Sequence, residues 1–182
     1  YGKLTGSAVL WARTSGGSTG GGGGGGAAAA PSVTVPVSSA KSTVTVSASV
    51  SGSTAGISIS DRQLESVLSG GGSVTVDVSG LKNVDSAKLP SSVIGRTEQS
   101  GAGLTVALPT GSVALDAKAL ESIGTGKDVT VSIQQTTLTD AQRSAVGALA
   151  QVAVVVDVNV VVGTSKQSGF GGGWLTVSIP YA

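Results

Sequence analysis

A run of valines near the C-terminus sets the strongest limit on the fold. Within Gln151–Val162 every second residue is valine, and these valines share one face of an extended chain. A two-residue period built from β-branched residues predicts a β-strand rather than a helix. A second alternating run follows at Trp174–Ile179, after the glycine-rich segment Gly163–Gly173. We therefore predict a long C-terminal β-hairpin that lies at the centre of a sheet.

The rest of the chain divides into three segments. Residues 1–14 hold one isolated strand, and residues 15–31 form a linker that contains the seven consecutive glycines Gly20–Gly26. A sequence of this kind is typical of a flexible tether. Its seventeen residues span roughly 50 Å when extended. Residues 32–182 are predicted to form the folded domain.

Two segments of this domain, 57–78 and 113–133, share one pattern. Each begins with a short apolar strand, continues through a helix that contains Leu-Glu-Ser, and ends with glycine and a Val-Thr-Val strand. Ser60 and Gln63 have the spacing of a capping box, and Asp116 occupies the place of Ser60 in the second copy. The similarity predicts an internal duplication. Because the helices have only about two turns, we predict an α+β domain with a β-rich mixed sheet rather than a doubly wound fold.

The composition excludes several classes of function. The chain has no His and no Cys, so it lacks the commonest general base and the thiol nucleophile. A net charge of +1 and an aromatic content of 3% give neither a basic surface nor stacking platforms for nucleic acid. No apolar run reaches the about 18 residues that span a membrane. The absence of Met predicts a processed product or a fragment.

The motifs that resemble catalytic signatures have simpler explanations. Ser38–Lys41 has Ser-x-x-Lys spacing without its partner motifs, and Gly124–Asp128 lacks the first glycine and the hydroxyl residue of a phosphate loop. The carboxylates Asp61, Asp116 and Asp140 stand where helix N-termini favour negative charge. We predict no catalytic residue, no cofactor and no metal site, and therefore a protein that is not an enzyme.

Four segments resemble a module of large bacterial cell-surface proteins, of a kind found in Firmicutes-like bacteria. They are Ala119–Ile123, Val129–Ile133, Thr139–Gly147 and, most specifically, Phe170–Tyr181 with the sequence F-G-G-G-W-L-T-V-S-I-P-Y. In such proteins the module commonly precedes S-layer homology repeats and follows a glycine- and serine-rich linker. The resemblance implies a non-catalytic, extracellular role. It transfers no functional residue, and this chain carries no S-layer homology repeat.

The predicted function is that of an extracellular structural protein of the bacterial cell surface. We expect a self-assembling fibre or surface-layer subunit whose partners are copies of itself. The N-terminal strand would complete the sheet of the next copy, through the residues Val9, Leu10 and Trp11. The alternatives are a passive spacer domain and a module that binds cell-wall or other polysaccharide, for which Phe170 and Trp174 are the candidate contacts.

Overall fold

The computed structural model describes residues 32–124, 126–137, 140 and 155–180. Three predictions lie outside these residues: the N-terminal strand, the glycine linker and the helix that starts at Asp140. Of that helix, only Asp140 itself is described. Eleven strands and three helices occur in the described part, in the order β1 Ser32–Ser38, β2 Thr43–Ser51, β3 Thr54–Ser58, α1 Asp61–Ser69, β4 Val74–Asp77, β5 Ser86–Leu89, α2 Ser91–Gln99, β6 Leu104–Leu108, β7 Gly111–Leu115, α3 Ala117–Ile123, β8 Val129–Thr136, β9 Val155–Val162, β10 Ser165–Lys166 and β11 Leu175–Ser178.

All eleven strands belong to one mixed sheet in the order β10-β9-β8-β5-β3-β2-β1-β4-β6-β7-β11. The β1–β2 hairpin lies in the middle, with Val35 opposite Val46. The pairs β3–β5 and β4–β6 are parallel, and the other pairs are antiparallel. The prediction of a β-rich mixed sheet with short helices is confirmed.

The three helices make nested connections around the central hairpin. Helix α1 joins β3 to β4, α2 joins β5 to β6, and α3 joins β7 to β8, and each helix links two strands at equal distances from β1 and β2. Strands β5 and β6 contact each other, as do β7 and β8, although they are far apart in the sheet order. The sheet therefore curls over, so that its two halves face each other. The hydroxyl of Thr110 joins them by donating to the carbonyl of Ile133 at 3.0 Å.

The curled sheet buries the apolar residue of each alternating pair. Strands β1 and β2 show the rule, since Val35 and Val46 are buried while Thr34 and Thr45 are exposed. The helices close the core with Leu64, Val67, Val93, Ile94, Leu120 and Ile123. A sheet of this size with one apolar face must curl or stack to remove that face from water.

Helices α1 and α3 begin at residues whose side chains accept from their free N–H groups. The Ser60 hydroxyl accepts from the Gln63 amide at 3.4 Å, and the Gln63 side chain accepts from the Ser60 amide at 3.0 Å, so the predicted capping box is present. Asp116 caps α3 by accepting from the Ala119 amide at 2.8 Å. Helix α2 runs from Ser91 to Gln99 and follows Pro90.

The predicted C-terminal hairpin does not form. Strand β9 pairs with β8 and β10, whereas β11 pairs with β7 at the opposite edge of the sheet. Neither strand is central. Glycine at position 111 allows β11 to lie this close, because a Cβ on Gly111 would lie 2.5 Å from the Ser178 carbonyl oxygen. The two-residue alternation predicted these strands, but it does not indicate which strand each one pairs with.

The two similar segments fold as β3–α1–β4 and β7–α3–β8, and β5–α2–β6 lies between them. Their sheet neighbours differ, since β3 lies between β2 and β5 whereas β7 lies between β6 and β11. The internal duplication therefore stays a prediction. Among the residues that the structure describes, no helix has the length and apolar character needed to cross a membrane.

Candidate functional site

The segment Phe170–Trp174 separates the two aromatic residues that the sequence suggested as a sugar contact. Phe170 is half-buried and packs against the core, whereas Trp174 is 75% exposed. The Gly173 amide donates to the Phe170 carbonyl at 2.7 Å, which closes a turn between them. The structure thus leaves one aromatic surface, Trp174, rather than a pair.

The same turn lies against the start of α3. A Cβ on Gly173 would overlap the backbone nitrogen of Ala119 and lie 2.6 Å from its Cα, so only glycine fits there. The Asp116 amide donates to the Trp174 carbonyl at 3.2 Å. Because Asp116 also caps α3, the helix start and the beginning of β11 are held together, and the indole is directed outward.

Trp174 borders a shallow, open groove on the outer face of β6, β7 and β11, which we name the Trp174 groove. Apart from Leu115, its other lining residues are small or polar and include Ser73, Thr105, Ala114, Asp116 and Thr176. An indole face beside hydroxyl and carboxylate groups can stack on one face of a sugar ring while polar atoms contact its hydroxyls. The groove is therefore a candidate carbohydrate contact.

The second candidate surface is the free edge of β11. This strand pairs with β7 on one side, and no strand of the described residues pairs with its other side. Its inward residues Leu175 and Val177, and Ile179 just beyond it, are only half-buried. The edge therefore offers unpaired backbone groups beside apolar surface that is incompletely covered.

The opposite edge of the sheet is only partly paired. Strand β10 pairs with Val161 and Val162 of β9, and the Gln167 amide donates to the Val160 carbonyl at 2.8 Å. Within the described ranges, no strand pairs with the outer side of residues 155–159. Asp157 lies exposed in this stretch, and Lys166 lies exposed on β10.

The carboxylates that have perturbed pKa values support the fold. Asp128 accepts from the Ser91 amide at 3.2 Å, where α2 begins without a side-chain cap of its own, and Lys88 lies 3.0 Å away. The Lys88 ammonium and the Ser91 N–H lower the pKa of Asp128. This residue belongs to the phosphate-loop-like Gly124–Asp128, and its contact with a helix 37 positions earlier left no local signal in the sequence.

Asp85 joins neighbouring strands and loops. Burial acts to raise the pKa of Asp85, but hydrogen bonds from Ser86, Ser53 and Gln134 outweigh it, so the pKa lies below its ordinary value. A carboxylate held anionic in this way is a poor general base near neutral pH. Among the described residues, no three His, Cys, Asp or Glu side chains gather closely enough to hold a metal ion.

Comparisons with models of known families, with curated proteins and with solved structures find no match to this chain.

Proposed function

We propose that this protein is a non-enzymatic structural subunit of the bacterial cell surface, joined into fibres by strand donation. The N-terminal strand around Val9, Leu10 and Trp11 leaves its own domain through the linker and pairs with a free sheet edge of the next copy. The observation that carries the proposal is the curled sheet with two incompletely paired edges. An added strand satisfies the edge N–H and C=O groups and covers apolar side chains.

The linker sequence gives the donated strand enough reach. Strand β1 starts at Ser32 in the middle of the sheet, and the linker before it spans roughly 50 Å when extended. The strand can thus reach past the edge of its own domain. A head-to-tail contact between copies that does not close on itself produces a filament.

The outer surface supports an extracellular setting. Apart from Pro36, the exposed positions of the central strands β1 and β2 are occupied by serine and threonine, such as Thr34 and Ser47. The chain has 12% charged residues and no cysteine. Together with the resemblance of Phe170–Tyr181 to a module of bacterial surface proteins, this composition favours a structural role there.

Removal of residues 1–14 is expected to abolish polymers and leave a folded monomer. A sharper variant is Leu10→Pro, because proline removes an N–H donor and disrupts strand pairing. Ser18→Pro in the linker is the matched control and should still polymerise. Negative-stain electron microscopy and light scattering measure assembly, and far-UV circular dichroism checks the fold. Polymers that persist after the deletion would rule out N-terminal strand donation.

A second candidate is polysaccharide binding through the Trp174 groove, favoured by the exposure of this large apolar side chain. Trp174→Ala is expected to weaken binding to cell-wall polysaccharide at least tenfold, since aromatic stacking is lost, whereas Trp174→Tyr should retain most of it. Pull-down with insoluble cell wall measures the effect. Equal binding by all three proteins would exclude the groove. A passive spacer domain predicts neither polymers nor polysaccharide binding.

A further inference from the structure

We infer that the edge that accepts the donated strand is β11, through residues 175–179, and that the donor is the segment Ala8–Ala12 of the next copy. This inference rests on the proposed strand donation and adds which of the two edges takes part. Charge distinguishes the β11 edge from the β9 edge, and the length and the half-buried apolar residues of the β11 edge suit the proposed donor.

The charge pattern separates the two edges. Sheet edges that must not pair with other chains commonly carry charged side chains, lysine in particular. The β9–β10 edge has Asp157 and Lys166 exposed. In contrast, residues 167–182 contain no charged residue, and neither do residues 4–12. Because the donor segment and the β11 edge carry no charged side chains, their pairing leaves no charged group without a partner.

The free edge of β11 and the proposed donor segment have the same length. The free side of the β11 edge ends before Pro180, which has no N–H to donate. This leaves five positions, 175–179, and the strand predicted at Ala8–Ala12 also has five. A donor of this length fills the edge without overhang.

The apolar face of β11 is incomplete. Leu175 and Val177 lie opposite Leu115 and Val113 of β7, which are buried, yet both remain half-buried. Among the described residues, no further strand lies beyond β11 to cover them. An added strand with alternating apolar residues extends the inner face and shields them, and it also runs beside the indole of Trp174, which adjoins the first residue of β11.

The chain contains no cysteine, so engineered pairs test the edge in the full-length protein. Val9→Cys is combined with Thr176→Cys on β11 or with Asn159→Cys on β9, and assembled protein is treated with a short bis-maleimide crosslinker. We expect a ladder of crosslinked multimers with Thr176→Cys and little with Asn159→Cys. A ladder with Asn159→Cys alone would assign the donor to β9 and overturn the inference.

Two other outcomes are separable. With Thr176→Cys, crosslinks could instead form only within single chains at every protein concentration. That result would place the donor strand on its own domain and would also overturn the inference. Failure of the unmodified chain to polymerise would overturn the proposed function itself.

Tryptophan fluorescence gives a second readout. The chain has two tryptophans, so Trp11→Phe leaves Trp174 as the only one. Its emission should shift to the blue on assembly, and an unchanged spectrum in polymers would contradict pairing at β11.

Discussion

Leu64→Ala is expected to lower the free energy of unfolding by about 2–5 kcal/mol, the range for truncating a buried leucine. Leu64 is 1% exposed on the inner side of α1 and packs beneath the sheet. The substitution removes apolar contacts and leaves a cavity that the surrounding strands fill only in part. Urea unfolding followed by circular dichroism gives the change, provided that the denaturant dependence of the two proteins is similar.

Leu68→Ala on the same helix is the matched control. Leu68 is only half-buried, so its truncation loses less buried surface and leaves an opening that water can enter. A clearly smaller loss of stability is expected. Equal losses at the two positions would mean that α1 does not dock on the sheet through the face that contains Leu64 and Val67.

Gly173→Ala is expected to lower the free energy of unfolding by about 1–3 kcal/mol or more, the range for adding a methyl group to a well-packed site. The new methyl group would overlap the backbone of Ala119 at the start of α3. Backbone cannot rotate away as a flexible side chain does, so the Phe170–Trp174 turn or the helix start must shift. The hydrogen bond from the Asp116 amide to the Trp174 carbonyl is the contact most exposed to that shift.

Gly169→Ala tests whether the effect comes from the contact. No atom of the described residues beyond its chain neighbours lies within 4 Å of a Cβ at Gly169, and a surface change of this kind alters stability by within about 0.5 kcal/mol. Thermal unfolding of both variants measures the difference. A Gly173→Ala protein as stable as Gly169→Ala would contradict the close approach of the turn to α3.

Local patterns predicted the elements of this fold well. The two-residue period predicted strands in the segments 151–162 and 174–179, within which β9 and β11 lie. Ser60, Gln63 and Asp116 marked the starts of α1 and α3, because a cap depends on residues three positions apart. These features are set by interactions within a few residues along the chain.

Local patterns did not predict which distant strands pair with each other in the sheet. The alternation at 175–178 fits a partner in β9 as well as it fits β7. The close approach of Gly111 to Ser178 joins distant parts of the chain and is seen only in the structure. The aromatic residues Phe170 and Trp174 were interpreted together because they are near in sequence. Their separation depends on the contact of Gly173 with α3, which brings together residues more than fifty positions apart.

The nested connections also define an order of growth. Strands β1 and β2 stand at the centre, β3 and β4 flank them, β5 and β6 come next, then β7 and β8, and finally β9 with β10 at one edge and β11 at the other. Position in the sheet therefore follows position in the chain, from the middle outward. Each strand after β1 has as a sheet neighbour a strand that precedes it in the chain. A chain that emerges from the ribosome N-terminus first can therefore add strands in the order of their synthesis. The two edges are the last parts to be made, and a strand from another copy would continue the same growth by one step.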